Sequence, residues 1–101
     1  MSRYRVVLVF QLQPGTADEE LRRSQEPGSF PDVLSRQPGF LEMDLVRLDD
    51  QRTMSVQAWS SQAAWWAALQ AAREGTAARD QPTILVERSF FGGDVVHRAA
   101  R

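Results

Sequence analysis

The segment Tyr4 to Gln13 carries β-forming side chains on both of its faces, with Val6, Val7, Leu8, Val9 and Phe10 in unbroken succession. A strand apolar on both sides must be covered on both sides, and it belongs in the middle of its sheet. Pro14-Gly15 ends it. Thr16 or Asp18 then caps a helix whose first turn holds Asp18, Glu19 and Glu20, matching the positive end of the helix dipole. Pro27, Gly28 and Pro31 cannot sit inside a regular helix, so the segment breaks there, and a short second piece follows over 32–37.

Downstream, Phe40 to Leu48 reads as a second strand, with Glu42 and Asp44 on the face of Phe40, Val46 and Leu48. Asp49 to Arg52 is a hairpin turn by composition. Thr53 to Trp59 is the third strand, with Met54, Val56 and Ala58 on one side and Ser55, Gln57 and Trp59 on the other. Ser60 or Ser61 caps a helix running to Glu74, with Gly75 as its stop signal. Trp65, Ala68, Leu69 and Ala72 form one stripe of that helix, and Trp66 lies at the stripe's edge. Thr83 to Phe91 is the fourth strand, and residues 92–101 form a C-terminal tail of a single domain spanning 1–101.

The order β-α-β-β-α-β specifies a ferredoxin-like α+β fold with a four-stranded antiparallel sheet and its helices on one face. Apolar residues on the other face need a cover, and two sheets packed face to face in a homodimer supply one.

Composition narrows the chemistry. All 12 basic residues are arginine; lysine and cysteine are absent, and His97 is the only histidine. Schiff-base chemistry, thiol nucleophiles and cysteine-ligated metal are thereby excluded. A net charge of -1 lacks the basic face that nucleic acid requires. No apolar run approaches the roughly 18 residues of a membrane span, and the polar start does not read as a secretion signal, so the expected location is cytoplasmic.

Four local features carry a resemblance to a known family. They are Val7-Leu8-Val9-Phe10 followed by Pro14-Gly15, then Gln37-Pro38-Gly39-Phe40-Leu41, the strand ending Val56-Gln57-Ala58-Trp59, and Ser60-Ser61-Gln62-Ala63-Ala64-Trp65. In this order and spacing the chain resembles the antibiotic biosynthesis monooxygenase family of the dimeric α+β barrel superfamily. The resemblance implies a homodimer with a cavity between helices and sheet. It also implies cofactor-independent oxygenation of anthrone-type intermediates of aromatic polyketides, with molecular oxygen as co-substrate and no metal or organic cofactor. Cyclisation of a polyketide, or ligand binding without catalysis, are the alternatives. In the anthrone oxygenases a Trp at the end of the third strand and an Asn four residues earlier are implicated; Trp59 matches the first and Ser55 replaces the second. Trp65 takes the place of a pocket aromatic, Val46 that of a second-strand His, and Arg79 falls near an active-site Arg. The haem-degrading branch has a proximal His on or after the second helix, which this chain lacks.

The expected catalytic set is therefore Trp59, Gln57, Ser55 and Arg79. Trp65, Trp66, Phe30 and Arg88 are expected to bind substrate: the indoles by stacking, Phe30 as a gate at the helix break, and Arg88, whose strand-mates Ile84, Val86 and Phe90 suggest an apolar face, by holding an anion. No metal site is expected. Glu42 and Asp44 are expected to form salt bridges with Arg47 or Arg88 rather than to act as a general base, and His97 to sit in the tail.

Overall fold

The computed structural model describes residues 3–76 and 84–101. Within them the chain runs β1 (Tyr4–Leu12), α1 (Ala17–Ser24), α2 (Phe30–Ser35), β2 (Phe40–Asp49), β3 (Arg52–Trp59), α3 (Gln62–Thr76) and β4 (Leu85–Asp94). The strands form one antiparallel sheet in the order β2-β3-β1-β4, so the doubly apolar β1 is internal. This is the ferredoxin-like α+β architecture expected from the element order.

Alternation along β1 sorts its side chains. Tyr4, Val6 and Leu8 enter a core shared with Leu34 of α2 and with Trp65, Ala68, Leu69 and Ala72 of α3. Val7 and Val9 point to the opposite face and are only partly covered. Cross-strand partners share a face, so Trp59, Gln57 and Ser55, opposite Tyr4, Val6 and Leu8, lie on the helix side.

The helix break has a definite construction. Gly28 takes a positive φ of 78°, and buried Ser29 then caps α2 by accepting a hydrogen bond from the Asp32 N–H. Its own hydroxyl donates to the Ser24 carbonyl, 2.9 Å away, which ties the start of α2 to the end of α1. On α1, Arg22 and Arg23 both donate to Glu19 and hold its carboxyl down to about 2.

Four sequence expectations need correction. A register shift between Phe40 and Glu42 inserts Leu41 as an extra residue. Phe40 therefore stays on the helix side opposite Trp59, while Glu42 and Asp44 move to the outer face opposite Ala58 and Val56. A second shift on β4 sets Leu85 opposite Leu12 and Glu87 opposite Gln11. Leu85, rather than Ile84 or Val86, thus shares a face with Arg88 and Phe90. Gly75 does not stop α3, which continues to Thr76. Nor do Gly92 and Gly93 begin a tail: β4 continues through both, pairing with Val6 and Arg5. The expected start of that strand at Thr83 lies outside the described residues.

No helix among the described residues is long and apolar enough to cross a membrane.

Candidate functional site

Between the helix side of the sheet and the helices lies a cavity of about 570 Å³. One wall is aromatic. Trp65 stacks on Phe90 of β4 with centroids 5.8 Å apart and planes 20° apart, and Trp66 meets the same ring edge-on. Both indoles sit at the start of α3 because Ser61 caps that turn, its hydroxyl accepting from the Ala64 N–H. Trp65 is fully buried, and its indole nitrogen has no hydrogen-bond partner among the described residues. An unmet buried donor costs about 1–3 kcal/mol, so it is an uncommon feature to retain.

A polar line on β3 faces the same space. Trp59 Nε1 donates to Gln57 Oε1 at 2.9 Å, and Gln57 Nε2 donates to Ser55 Oγ at 2.9 Å. An indole N–H can only donate, which fixes the orientation of the Gln57 amide. Gln57 and Ser55 line the cavity, and each keeps one further hydrogen to offer: the second amide hydrogen and the hydroxyl proton. Trp59 does not line it. Its indole is fully buried, lies edge-on to Phe40 at 5.4 Å and tilts against Trp65 at 5.7 Å. It stands behind the wall, orienting Gln57 and backing Trp65.

Phe30, the first residue of α2, lines the cavity together with Pro31, and Arg88 lines it from β4. Arg79 lies outside the described residues. Arg47 pairs with Asp18 at 3.0 Å, away from the lining. Glu42 on the outer face pairs with Arg5 at 2.8 Å, and that hydrogen bond lowers its pKa. The expected partner of Glu42 was Arg47 or Arg88; the bulge at Leu41 carries it to Arg5 instead. His97 borders an open groove on the outer side with Arg5, Phe91 and Arg98, so it does not join the cavity from within the same chain.

Several lining residues escaped sequence reasoning, two of them charged groups that bear on the chemistry. Arg73 reaches the cavity from the last turn of α3. Glu20 was read as a match for the α1 dipole, yet its side chain faces the cavity. Burial pushes its carboxyl pKa up, against a hydrogen bond from Ser24 and the charge of Arg23. The available signal was its place one position from Leu21 and four from Ser24, both lining residues on α1.

A carboxylate with raised pKa, lining one cavity with a hydrogen-bonding amide, a hydroxyl and stacked rings, can bind a flat ligand and move a proton. The family model for antibiotic biosynthesis monooxygenase matches residues 3–80. The chain belongs to that family.

Its members' fold is shared by solved structures of low identity. The heme-degrader MhuD from Mycobacterium tuberculosis, solved with two hemes bound in its active site, superposes with a TM-score of 0.79 at 19% identity, covering 96% of this chain and 99% of that one. SnoaB, a cofactor-independent oxygenase from Streptomyces nogalater, gives 0.57 at 16% identity, covering 98% and 95%. An anthrone oxidase-like protein gives 0.62 at 26% identity over 95% of this chain, which spans 45% of that protein. A search of curated proteins gave no significant match.

Haem iron requires an axial donor from the protein. The described cavity lining holds no histidine, cysteine or tyrosine, and Met54 is its one side chain of a type that ligates haem iron. The described residues do not group three or more acidic or histidine side chains where a metal ion could be held.

Proposed function

We propose that this family member is a cofactor-free oxygenase of the tailoring type, acting as a cytoplasmic homodimer on a flat polycyclic aromatic substrate such as an anthrone. The observation that carries the reading is the cavity itself, with the Trp65–Phe90 stack on one side and the Gln57–Ser55 line on the other. Family membership and the likeness to a cofactor-independent oxygenase and an anthrone oxidase-like protein support it.

The substrate supplies the electrons, so no metal or flavin is called for. Glu20 takes a proton from the activated ring carbon, and the carbanion is delocalised onto the substrate's carbonyl oxygen. The Gln57 amide and Ser55 hydroxyl donate to that oxygen as its charge develops. The carbanion reduces dioxygen to a substrate hydroperoxide, which loses water and leaves a new carbonyl. One CH₂ and one O₂ thus become one C=O and one H₂O. The Trp65 indole N–H gains the acceptor it lacks when a substrate oxygen enters beside it. Trp59 acts through Gln57 and does not touch substrate.

Dihydroxyanthrone in aerated buffer tests this directly by the growth of quinone absorbance. Acceleration over buffer is expected; its absence across several anthrones would remove the oxygenase reading. Glu20 also suits cyclisation by proton transfer alone, and that version predicts turnover that persists without oxygen.

The outer sheet face supports the dimer. Val7, Val9, Val46 and Val56 are half-covered there, and Phe91 is 62% exposed. A second sheet laid across them would remove this apolar surface from water. Sedimentation should give twice the chain mass, whereas a monomer at micromolar concentration would refute the pairing.

A further inference from the structure

Six of the arginines among the described residues are matched by an acid. Arg5, Arg22, Arg23, Arg36, Arg47 and Arg52 each sit against a carboxylate. Arg73 and Arg88 have no acid partner among the described residues, and both line the cavity. Each is exposed, which places it towards the mouth rather than the floor.

Their positions relative to the aromatic wall are regular. Arg88 stands two residues from Phe90 on the same face of β4, opposite Phe10 of β1. Arg73 stands one helical turn beyond Leu69 and two beyond Trp66 on α3, both of which line the cavity. The two guanidinium groups therefore flank the Trp65, Trp66 and Phe90 cluster from two different elements. Charge points the same way. Arg23 is answered by Glu19, which leaves two unmatched cations on the lining against the single carboxylate of Glu20. A guanidinium fork meets a carboxylate through two parallel hydrogen bonds, and it stays charged at every working pH.

We infer that the cavity selects planar aromatic ligands carrying an anionic group, a carboxylate or an ionised phenol, which Arg73 and Arg88 hold at the mouth while the rings lie against Trp65, Trp66 and Phe90. This rests on the aromatic-ligand reading given above and adds the charge class. It makes the substrate an aromatic acid or phenolate, supplied by a reaction that leaves such a group free on the ring system.

Trp65 and Trp66 provide the readout, since a ring bound against them quenches indole fluorescence. Titration with an anthracene carboxylate and with the neutral anthracene methanol of the same ring system separates charge from shape. Near neutral pH and at low salt the carboxylate should bind roughly tenfold tighter for each arginine engaged. Added salt should shrink that preference. Arg73→Gln and Arg88→Gln should each narrow it. The double variant should abolish it while leaving affinity for the neutral alcohol unchanged, which also reports an intact cavity. Equal affinity for the two ligands in the wild type overturns the inference alone, as does a preference that survives in the double variant. If neither ligand binds, the aromatic reading of the cavity falls and this inference falls with it.

Discussion

Gly39→Ala is expected to lower the melting temperature by about 10 °C or more, followed by far-UV circular dichroism. Gly39 lies in the turn entering β2 with φ +87°, a region that costs an L-residue about 1–2 kcal/mol. A methyl group there would sit 2.5 Å from the Ala64 Cβ and 2.7 Å from the Ser60 Oγ. Ala64 belongs to the first turn of α3 and has no rotamer with which to withdraw, so the turn or the helix must move. Overpacking of this kind adds about 1–3 kcal/mol. The Gly39 carbonyl also accepts from the Ser60 N–H at 2.8 Å, so displacement disturbs the start of the helix that carries Trp65 and Trp66. Gly15→Ala is the internal control: its φ is +76° but nothing lies within 4 Å of the added methyl. It should lose the conformational part only, and equal losses in the two variants would show that the close approach to Ala64 has no energetic weight.

Gly39 also marks the boundary of what the sequence discloses. Pro38-Gly39 announces a turn, because those residue types favour one wherever they occur. That the turn abuts α3 is a long-range contact with no local trace. The same division runs through the chain. The double apolarity of β1 and the stripe of Trp65, Ala68, Leu69 and Ala72 reflect periods set by backbone geometry, and the structure buries that stripe as expected. The faces of β2 were misassigned because one inserted residue, Leu41, reverses the parity of the residues after it until a second shift between Arg47 and Asp49. Gly92 looked like a strand breaker. Instead a Cβ there would strike the phenol of buried Tyr4, so the residue is small for the sake of a neighbour 88 positions away in the sequence. Within the site, the resemblance pointed to Trp59, but nothing local shows that its N–H is engaged by Gln57. Glu20 stayed hidden for the converse reason: an acid in the first turn of a helix already has an adequate explanation, and only the packing of α1 over the cavity adds a second.

Glu20→Gln should lower turnover of the anthrone substrate by roughly a hundredfold or more, the usual range for loss of a positioned general base. The base must be ionised to accept a proton, so wild-type activity should rise with pH through the Glu20 pKa. Burial raises that pKa, and the acid limb should therefore lie above the pH expected of an exposed glutamate. In the variant this limb should vanish, leaving a small rate with no titration in that window. Stability should move the other way. A carboxyl whose folded pKa exceeds its unfolded value contributes most below the unfolded pKa, and that contribution is lost as pH rises through the folded pKa. Wild type should thus lose stability across this window, whereas glutamine at the same place does not titrate. At neutral pH the variant should be no less stable than wild type to urea, and the two should converge towards acid. Lower activity in a protein of undiminished stability separates a chemical role from a structural one. Unchanged turnover with the acid limb intact would dismiss Glu20 as the proton acceptor, leaving the cavity as a site that binds through Ser55, Gln57 and its aromatic wall alone.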